Sequence, residues 1–170
     1  MPFYGPAGGA AGLTLEGSNT TEATSTSTSA ANMSAVTSLS IAASTPILIT
    51  FSFRKTSGTN GASSFGLTLN STVVVDAGLD QNSIAHFTGS TALSGSCVIY
   101  IGPRSTNYLR ALSRFYNYDS GGADTGRFDL SYNADMPTAT ITSVTLRGDA
   151  KNSDTTIGTS DVFVYSLATS

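Results

Sequence analysis

The sequence has little of the residue types that support most catalytic and metal-binding chemistry. It contains one cysteine, Cys97, one histidine, His86, and no tryptophan. A single cysteine excludes an intramolecular disulfide framework and a metal site built from thiolates. Cys97 stands in the apolar segment 96–101, so we interpret it as a small buried side chain on a strand. His86 has no motif around it, and we expect it on the surface or at a sheet edge.

Charged residues are also scarce. They make up 11% of the chain, against roughly 25% in ordinary soluble domains. Lysine and glutamate, which favour exposed helices, are nearly absent. The net charge of −3 provides no electrostatic attraction for nucleic acid or an anionic membrane. We therefore expect neither as a partner.

The chain is rich in hydroxyl side chains instead, with 26 serines and 25 threonines among 170 residues. Threonine suits strands, whereas serine, glycine and asparagine suit turns. A surface of hydroxyls tolerates close neighbours, because little charge has to be desolvated on contact. The length fits one domain with a core of its own. We therefore predict an all-β protein that is packed in an assembly or exposed outside cells.

Eight or nine short strands are predicted from Val36 onwards, with turn residues between them. The first covers 36–41, and the segment 47–54 alternates cleanly. Its inward residues are Ile47, Ile49, Phe51 and Phe53. The segment 161–167 is apolar on both faces, which predicts an inner strand covered on both sides. The segment 107–118 is either a helical turn followed by a strand or a strand with exposed aromatics. The pattern favours an antiparallel β-sandwich, jelly-roll-like, with an extended N-terminal arm.

The domain boundary is predicted at residue 36. Residues 1–35 form a flexible or extended arm, and residues 36–170 form the jelly-roll β-sandwich domain. Within the arm, the segment 13–35 is rich in Thr, Ser and Ala. It is predicted to be an extended linker or an edge strand, because the hydroxyl groups of Thr and Ser compete with a helical backbone. Phe3 and Tyr4 give the start an aromatic pair that can dock on a neighbouring subunit.

The sequence contains little that supports a catalytic site or a metal site. A triad would depend on His86, and no Gly-x-Ser-x-Gly elbow accompanies it. Both glutamates lie in the arm, outside the predicted core, and most aspartates stand in turns. The loop 148–154 offers oxygen ligands and leaves calcium open, although its spacing is not that of an EF-hand and Lys151 lies within it. We expect a protein that is not an enzyme and has no cofactor.

Arginines and aromatics interleave between residues 104 and 118. Such a mixture is enriched at protein interfaces; plain packing and stacking on carbohydrate are the alternatives. The lack of tryptophan weakens the carbohydrate alternative. With the arm, the predicted interface residues are Phe3, Tyr4, Arg104, Tyr108, Arg110, Arg114, Tyr116 and Tyr118.

The closing segments, 141–149 and 161–165, resemble the end of jelly-roll structural proteins of tailed bacteriophages. They share a strand ending in Arg-Gly, a polar loop and a last strand of Asp-Val-aromatic-Val-Tyr type. The resemblance implies a virion protein without catalytic residues. We expect a capsid decoration (cement) protein that packs on the shell and stabilises it through repeated contacts. Its partners are then the major capsid protein or other virion proteins and copies of itself.

Two other functions remain open. One is a carbohydrate-binding adhesin module of a phage tail or fibre that uses Tyr108, Tyr116 and Tyr118. The other is a subunit of a self-assembling extracellular filament. The start of the sequence lacks the basic and apolar regions of a signal peptide. We therefore expect synthesis in a host cytoplasm and a final location in the virion.

Overall fold

The computed structural model describes residues 12–43, 45–56, 63–77, 83–87, 92–102, 108–117, 124–133, 138–151 and 153–167. These residues form twelve β-strands and no helix. The strands are β1 Leu13–Asn19, β2 Ala23–Ser25, β3 Ala31–Val36, β4 Ile47–Lys55, β5 Ser63–Leu69, β6 Thr72–Val75, β7 Ala85–Phe87, β8 Leu93–Gly102, β9 Tyr108–Asn117, β10 Asp124–Asn133, β11 Val144–Asp149 and β12 Ile157–Leu167. No helix that is long and apolar enough to cross a membrane occurs in these ranges.

The strands build two antiparallel sheets. Sheet A has the order β1, β12, β4, β8, β9, β10, with β2 continuing the β1 edge along β12. Sheet B has the order β3, β11, β5, β6, with β7 also paired to β5. The predicted fold class, an all-β antiparallel sandwich of jelly-roll-like form, is confirmed. His86 lies on β7 at the edge of sheet B.

The core lies between the two sheets. The alternation of β4 places its four predicted inward residues there, each at most 3% exposed: Ile47, Ile49, Phe51 and Phe53. Phe65 of β5 meets Phe53 from the other sheet, with ring centroids 5.6 Å apart. Cys97 is fully buried in the same core, as predicted. The residues of β4 that alternate with these four therefore face solvent and form part of the outer surface of sheet A.

Residues 13–36 form strands of both sheets. β1 and β2 pair with β12, and β3 pairs with β11. Of the two predictions for 13–35, the structure shows the edge strand rather than the linker. The first strand predicted at 36–41 is wrong, because β3 ends at Val36 and Ser38 takes a left-handed φ of 62°. Phe3 and Tyr4 lie outside the described residues.

β12 is an inner strand of sheet A, as predicted, but only one of its faces is buried. Val162 and Val164 are 0% exposed, whereas Phe163, Tyr165 and Leu167 are half-buried. A sandwich covers each sheet on one face only, so the second face of an inner strand remains outside. The prediction of burial on both faces is wrong for this reason.

The segment 108–117 is a ten-residue strand, β9, paired with β8 and β10. The helical turn considered for it does not form. Long, continuous pairing on both sides satisfies the backbone of β9 as part of the sheet.

Candidate functional site

A groove lies on the outer face of sheet A, with a volume of about 390 Å³. It crosses β12, β4 and β8 and is bordered by the connection between β1 and β2. The residues that line this outer groove are Glu22, Ser52, Phe53, Arg54, Ser94, Gly95, Ser96, Gly158 and Ser160. Serine and glycine dominate, so the groove has a low floor covered with hydroxyl groups.

Strand register brings the serines into one row. Ser52 of β4 is the register partner of Ser160 on β12 and of Ser96 on β8. Arg54, two residues further along, is the partner of Gly158 and Ser94. Residues at alternate positions share a face of a strand, and Phe51 and Phe53, which alternate with Ser52 and Arg54, occupy the inward positions. Ser52 and Arg54 are therefore turned to the outside by the same alternation that buries the phenylalanines.

An ion pair closes one end of the outer groove. The Arg54 Nε donates a hydrogen bond to the Glu22 Oε1. This bond raises the pKa of Arg54 above its ordinary value. Both side chains are almost half exposed, at 45% and 43%, and pairs of this kind add little stability. Their chemistry as hydrogen-bonding groups matters more than their contribution to folding.

Gly158 leaves the space in which this ion pair lies. A Cβ atom on Gly158 would stand 2.7 Å from the Glu22 Oε1 and 3.1 Å from the Arg54 Cγ. Any larger residue would have to displace the pair. The width of the groove at this end thus depends on a glycine near the start of β12.

A second depression, of about 290 Å³, continues the outer groove along the strands. The two share Ser52 and Ser96, and the second adds Thr50, Phe51, Cys97, Val98, Asp161 and Phe163. Phe163 stacks on Tyr165, with centroids 6.5 Å apart and an interplanar angle of 27°. The groove therefore passes from a charged end to an aromatic end.

A β-bulge sets the position of Asp161 between these ends. The pairing of β12 with β4 skips from Ser160 to Phe163, and Asp161 has a left-handed φ of 51°. Aspartate tolerates this conformation better than most residues. Asp161 is exposed, and the hydroxyl of Ser160 donates a 2.9 Å hydrogen bond to it. The bulge restores the buried register at Val162 and keeps a carboxylate on the outer face.

The predicted interface residues of β9 lie beside the groove. Tyr108, Arg110, Arg114 and Tyr116 occupy alternate positions of β9, and Arg110 is exposed. The backbone register pairs residue 116 with Ser94 and residue 114 with Ser96. The strand next to the outer groove thus carries four of the predicted residues, and two of them, Arg114 and Tyr116, are register partners of serines in the groove. Arg104 and Tyr118 lie outside the described residues.

The groove residues themselves were not predicted. Both glutamates were assigned to an arm outside the core; instead, Glu22 pairs with Arg54, and Glu16 accepts a hydrogen bond from Ser166. The available signal was small polar residues at alternate positions of three strands, as in 52–54, 94–96 and 158–160. That pattern indicates one polar face per strand, but it does not say which strands are neighbours.

In the loop considered for calcium, the carboxylate of Asp149 is paired with the loop's own lysine. Lys151 donates both its backbone N–H, at 2.8 Å, and its amine to the carboxylate of Asp149. Asp149 is 2% exposed. Within the described part of the chain, no group of three or more His, Cys, Asp or Glu residues is placed to hold a metal ion.

The chain has no match among protein-family models or curated proteins. Its fold is similar to that of the lectin UEA-II, solved in complex with galactose, at 12% identity and a TM-score of 0.45 over 92% of this chain and 93% of that one. It is also similar to a legume lectin-like domain from Entamoeba histolytica, at 6% identity and a TM-score of 0.34 over 92% of this chain and 84% of that one. These similarities concern the β-sandwich alone. The resemblance to phage structural proteins stays a prediction.

Proposed function

We propose that this protein is a carbohydrate-binding module that holds its ligand in the outer groove of sheet A and does not convert it. The observation that carries the proposal is the groove itself. A row of serine hydroxyls across three neighbouring strands lies between the Glu22–Arg54 ion pair and the ring of Phe163.

Sugars present hydroxyl groups around their edge and C–H groups on their faces. The lining of the outer groove offers partners for both kinds of group. The Glu22 carboxylate accepts hydrogen bonds, the Arg54 guanidinium donates them, and the serine hydroxyls do either. Hydrogen bonds to charged groups are the stronger ones. The half-buried Phe163 offers an apolar ring face. A lining with polar groups and an aromatic ring therefore suits a ligand of mixed character.

The proposal is tested on a broad glycan array with the full chain and two groove variants, Arg54→Met and Ser96→Val. Both residues lie at exposed positions of central strands, so the fold should survive. We expect binding to at least one class of glycan and a loss of about tenfold or more in affinity for each variant.

The matched control is Thr72→Val, an exposed hydroxyl residue on β6 of the other sheet. It should bind as the unmodified chain does. No binding across the array by a folded protein would contradict the proposal, and so would equal losses in the control and the groove variants.

A second candidate is a subunit that assembles with copies of itself, as in a virion or a filament. It is favoured by β1, the edge strand of sheet A, which exposes Leu13 at 55% and Leu15 at 53%. An exposed apolar edge strand is a ready surface for association.

Sedimentation of the full chain should show an oligomer that Leu13→Ser with Leu15→Ser reduces to monomers. Deleting residues 1–11 tests the arm separately and leaves every described strand intact. A monomer in all three proteins would exclude self-assembly through β1.

A further inference from the structure

We propose that the outer groove takes a linear, uncharged glycan of at least three sugar rings, lying along the strands, rather than a single terminal sugar. This inference rests on the proposed function and specifies the ligand of the same site. It is carried by the adjacency of the two depressions, their combined length and the charge of their lining.

The two depressions are neighbours on the outer face of sheet A. They share Ser52 and Ser96, so a ligand that fills one of them reaches the border of the other. The charged end lies in the row of Arg54, and the aromatic end lies in the row of Thr50, the register partner of Phe163. The path therefore follows β4 rather than crossing it.

The path is longer than one sugar. From Arg54 to Thr50, four residues of strand at about 3.3 Å each cover roughly 13 Å. A pyranose ring built from bonds of about 1.5 Å spans roughly 5 Å along a chain. The two depressions thus have room for about three consecutive rings.

The two ends and the middle differ in what they offer. Glu22 and Arg54 supply charged hydrogen-bonding groups at one end, and the ring of Phe163, which stacks on Tyr165, lines the other. The serines Ser52, Ser96 and Ser160 line the floor between them, with Asp161 beside them. A ligand that uses both ends must reach from one to the other, which a single ring cannot do.

The charge of the groove favours a neutral chain. Among the described residues that line the two depressions, Glu22 and Asp161 carry negative charge and Arg54 carries positive charge, which is paired with Glu22. This lining has no excess of positive charge for a uronate or sulfated chain, which would also approach the carboxylate of Asp161.

The experiment is calorimetric titration of the full chain with linear cello-, xylo- and manno-oligosaccharides of increasing length, beside polygalacturonate oligomers. For at least one neutral series we expect affinity to rise by about tenfold or more from one ring to three, and then to level off. Phe163→Ala should remove most of this gain. Ser96→Val should weaken every length, and Thr72→Val none.

The outcomes separate the two proposals. Equal affinity for a monosaccharide and a trisaccharide, or tighter binding of the polyanionic series, would overturn this inference and leave a carbohydrate-binding groove in place. A length dependence unchanged in Phe163→Ala would also overturn it. No binding of any sugar, here and on the array, would overturn the proposed function and this inference together.

Discussion

Ser34 of β3 and Thr159 of β12 are joined across the interior of the sandwich. The Ser34 Oγ lies 3.1 Å from the carbonyl oxygen of Thr159 and 2.9 Å from its Oγ1. The two residues are 2% and 1% exposed. This hydroxyl pair links sheet B to sheet A and the first third of the chain to its last strand.

Ser34→Ala should lower the free energy of unfolding by about 1–2 kcal/mol, because it leaves the buried groups of Thr159 without this partner. Denaturant unfolding measures the change. Ser40→Ala, the same substitution at an exposed position, should stay within about 0.5 kcal/mol of the unmodified chain. Equal small effects for both variants would show that the bond adds nothing to stability.

Gly158→Ala should weaken glycan binding several-fold and leave stability nearly unchanged. The new methyl group would collide with the far end of Glu22 and with Arg54, both of which can move into solvent. Titration and thermal unfolding on the same sample separate the two effects. Glu16→Gln removes a charge outside the groove lining and is expected to bind normally. Full affinity in Gly158→Ala would contradict a role for the ion pair in binding.

We expect the side chain of Asn70 to hold the segment 140–143 in place. Its side chain accepts hydrogen bonds from the Thr142 N–H, at 2.7 Å, and hydroxyl, at 3.0 Å, and donates one to the carbonyl of Thr140, at 3.1 Å. Its φ of 54° is left-handed. Asn70→Gly keeps that conformation and loses the bonds, whereas Asn70→Ala loses both.

We expect Asn70→Gly to destabilise the protein by about 1–3 kcal/mol and Asn70→Ala by about 1 kcal/mol more. Denaturant unfolding of the pair measures the bonds and the conformational cost separately. Equal losses in the two variants would show that the left-handed turn costs nothing.

Lys55 should make stability depend on pH in the alkaline range. Burial lowers the pKa of its amine from the ordinary 10.5. The folded protein then loses this proton at a lower pH than the unfolded chain does, so this group makes the unfolding free energy rise with pH between the two pKa values. Its cost is complete below the folded pKa and gone above 10.5.

Lys55→Met removes this contribution. The difference in unfolding free energy between the variant and the unmodified chain should therefore shift in favour of the unmodified chain as pH approaches 10.5 from neutrality. Urea unfolding across that range measures it, and the subtraction cancels the other titrating groups. A difference that stays constant with pH would show that the lysine titrates alike in both states.

Much of the fold could be predicted from the sequence, because it depends on the alternation of apolar and polar residues along each strand. The inward residues of β4, the burial of Cys97 and the inner position of β12 all follow from apolar residues at alternate positions. The edge strands were harder. β1, β2 and β3 have few large apolar residues, and their pairing with β12 and β11 is decided by partners that lie far along the chain.

The sequence by itself determined that the protein is an all-β sandwich with a hydroxyl-rich, weakly charged surface, since composition and a period of two are local properties. Only the tertiary structure decided where those hydroxyls gather. Ser52, Ser96 and Ser160 come from three distant segments, and the register of β12, β4 and β8 alone makes them neighbours. The bulge at Asp161 and the pairing of Glu22 with Arg54 likewise arise from long-range pairing, which no local pattern encodes.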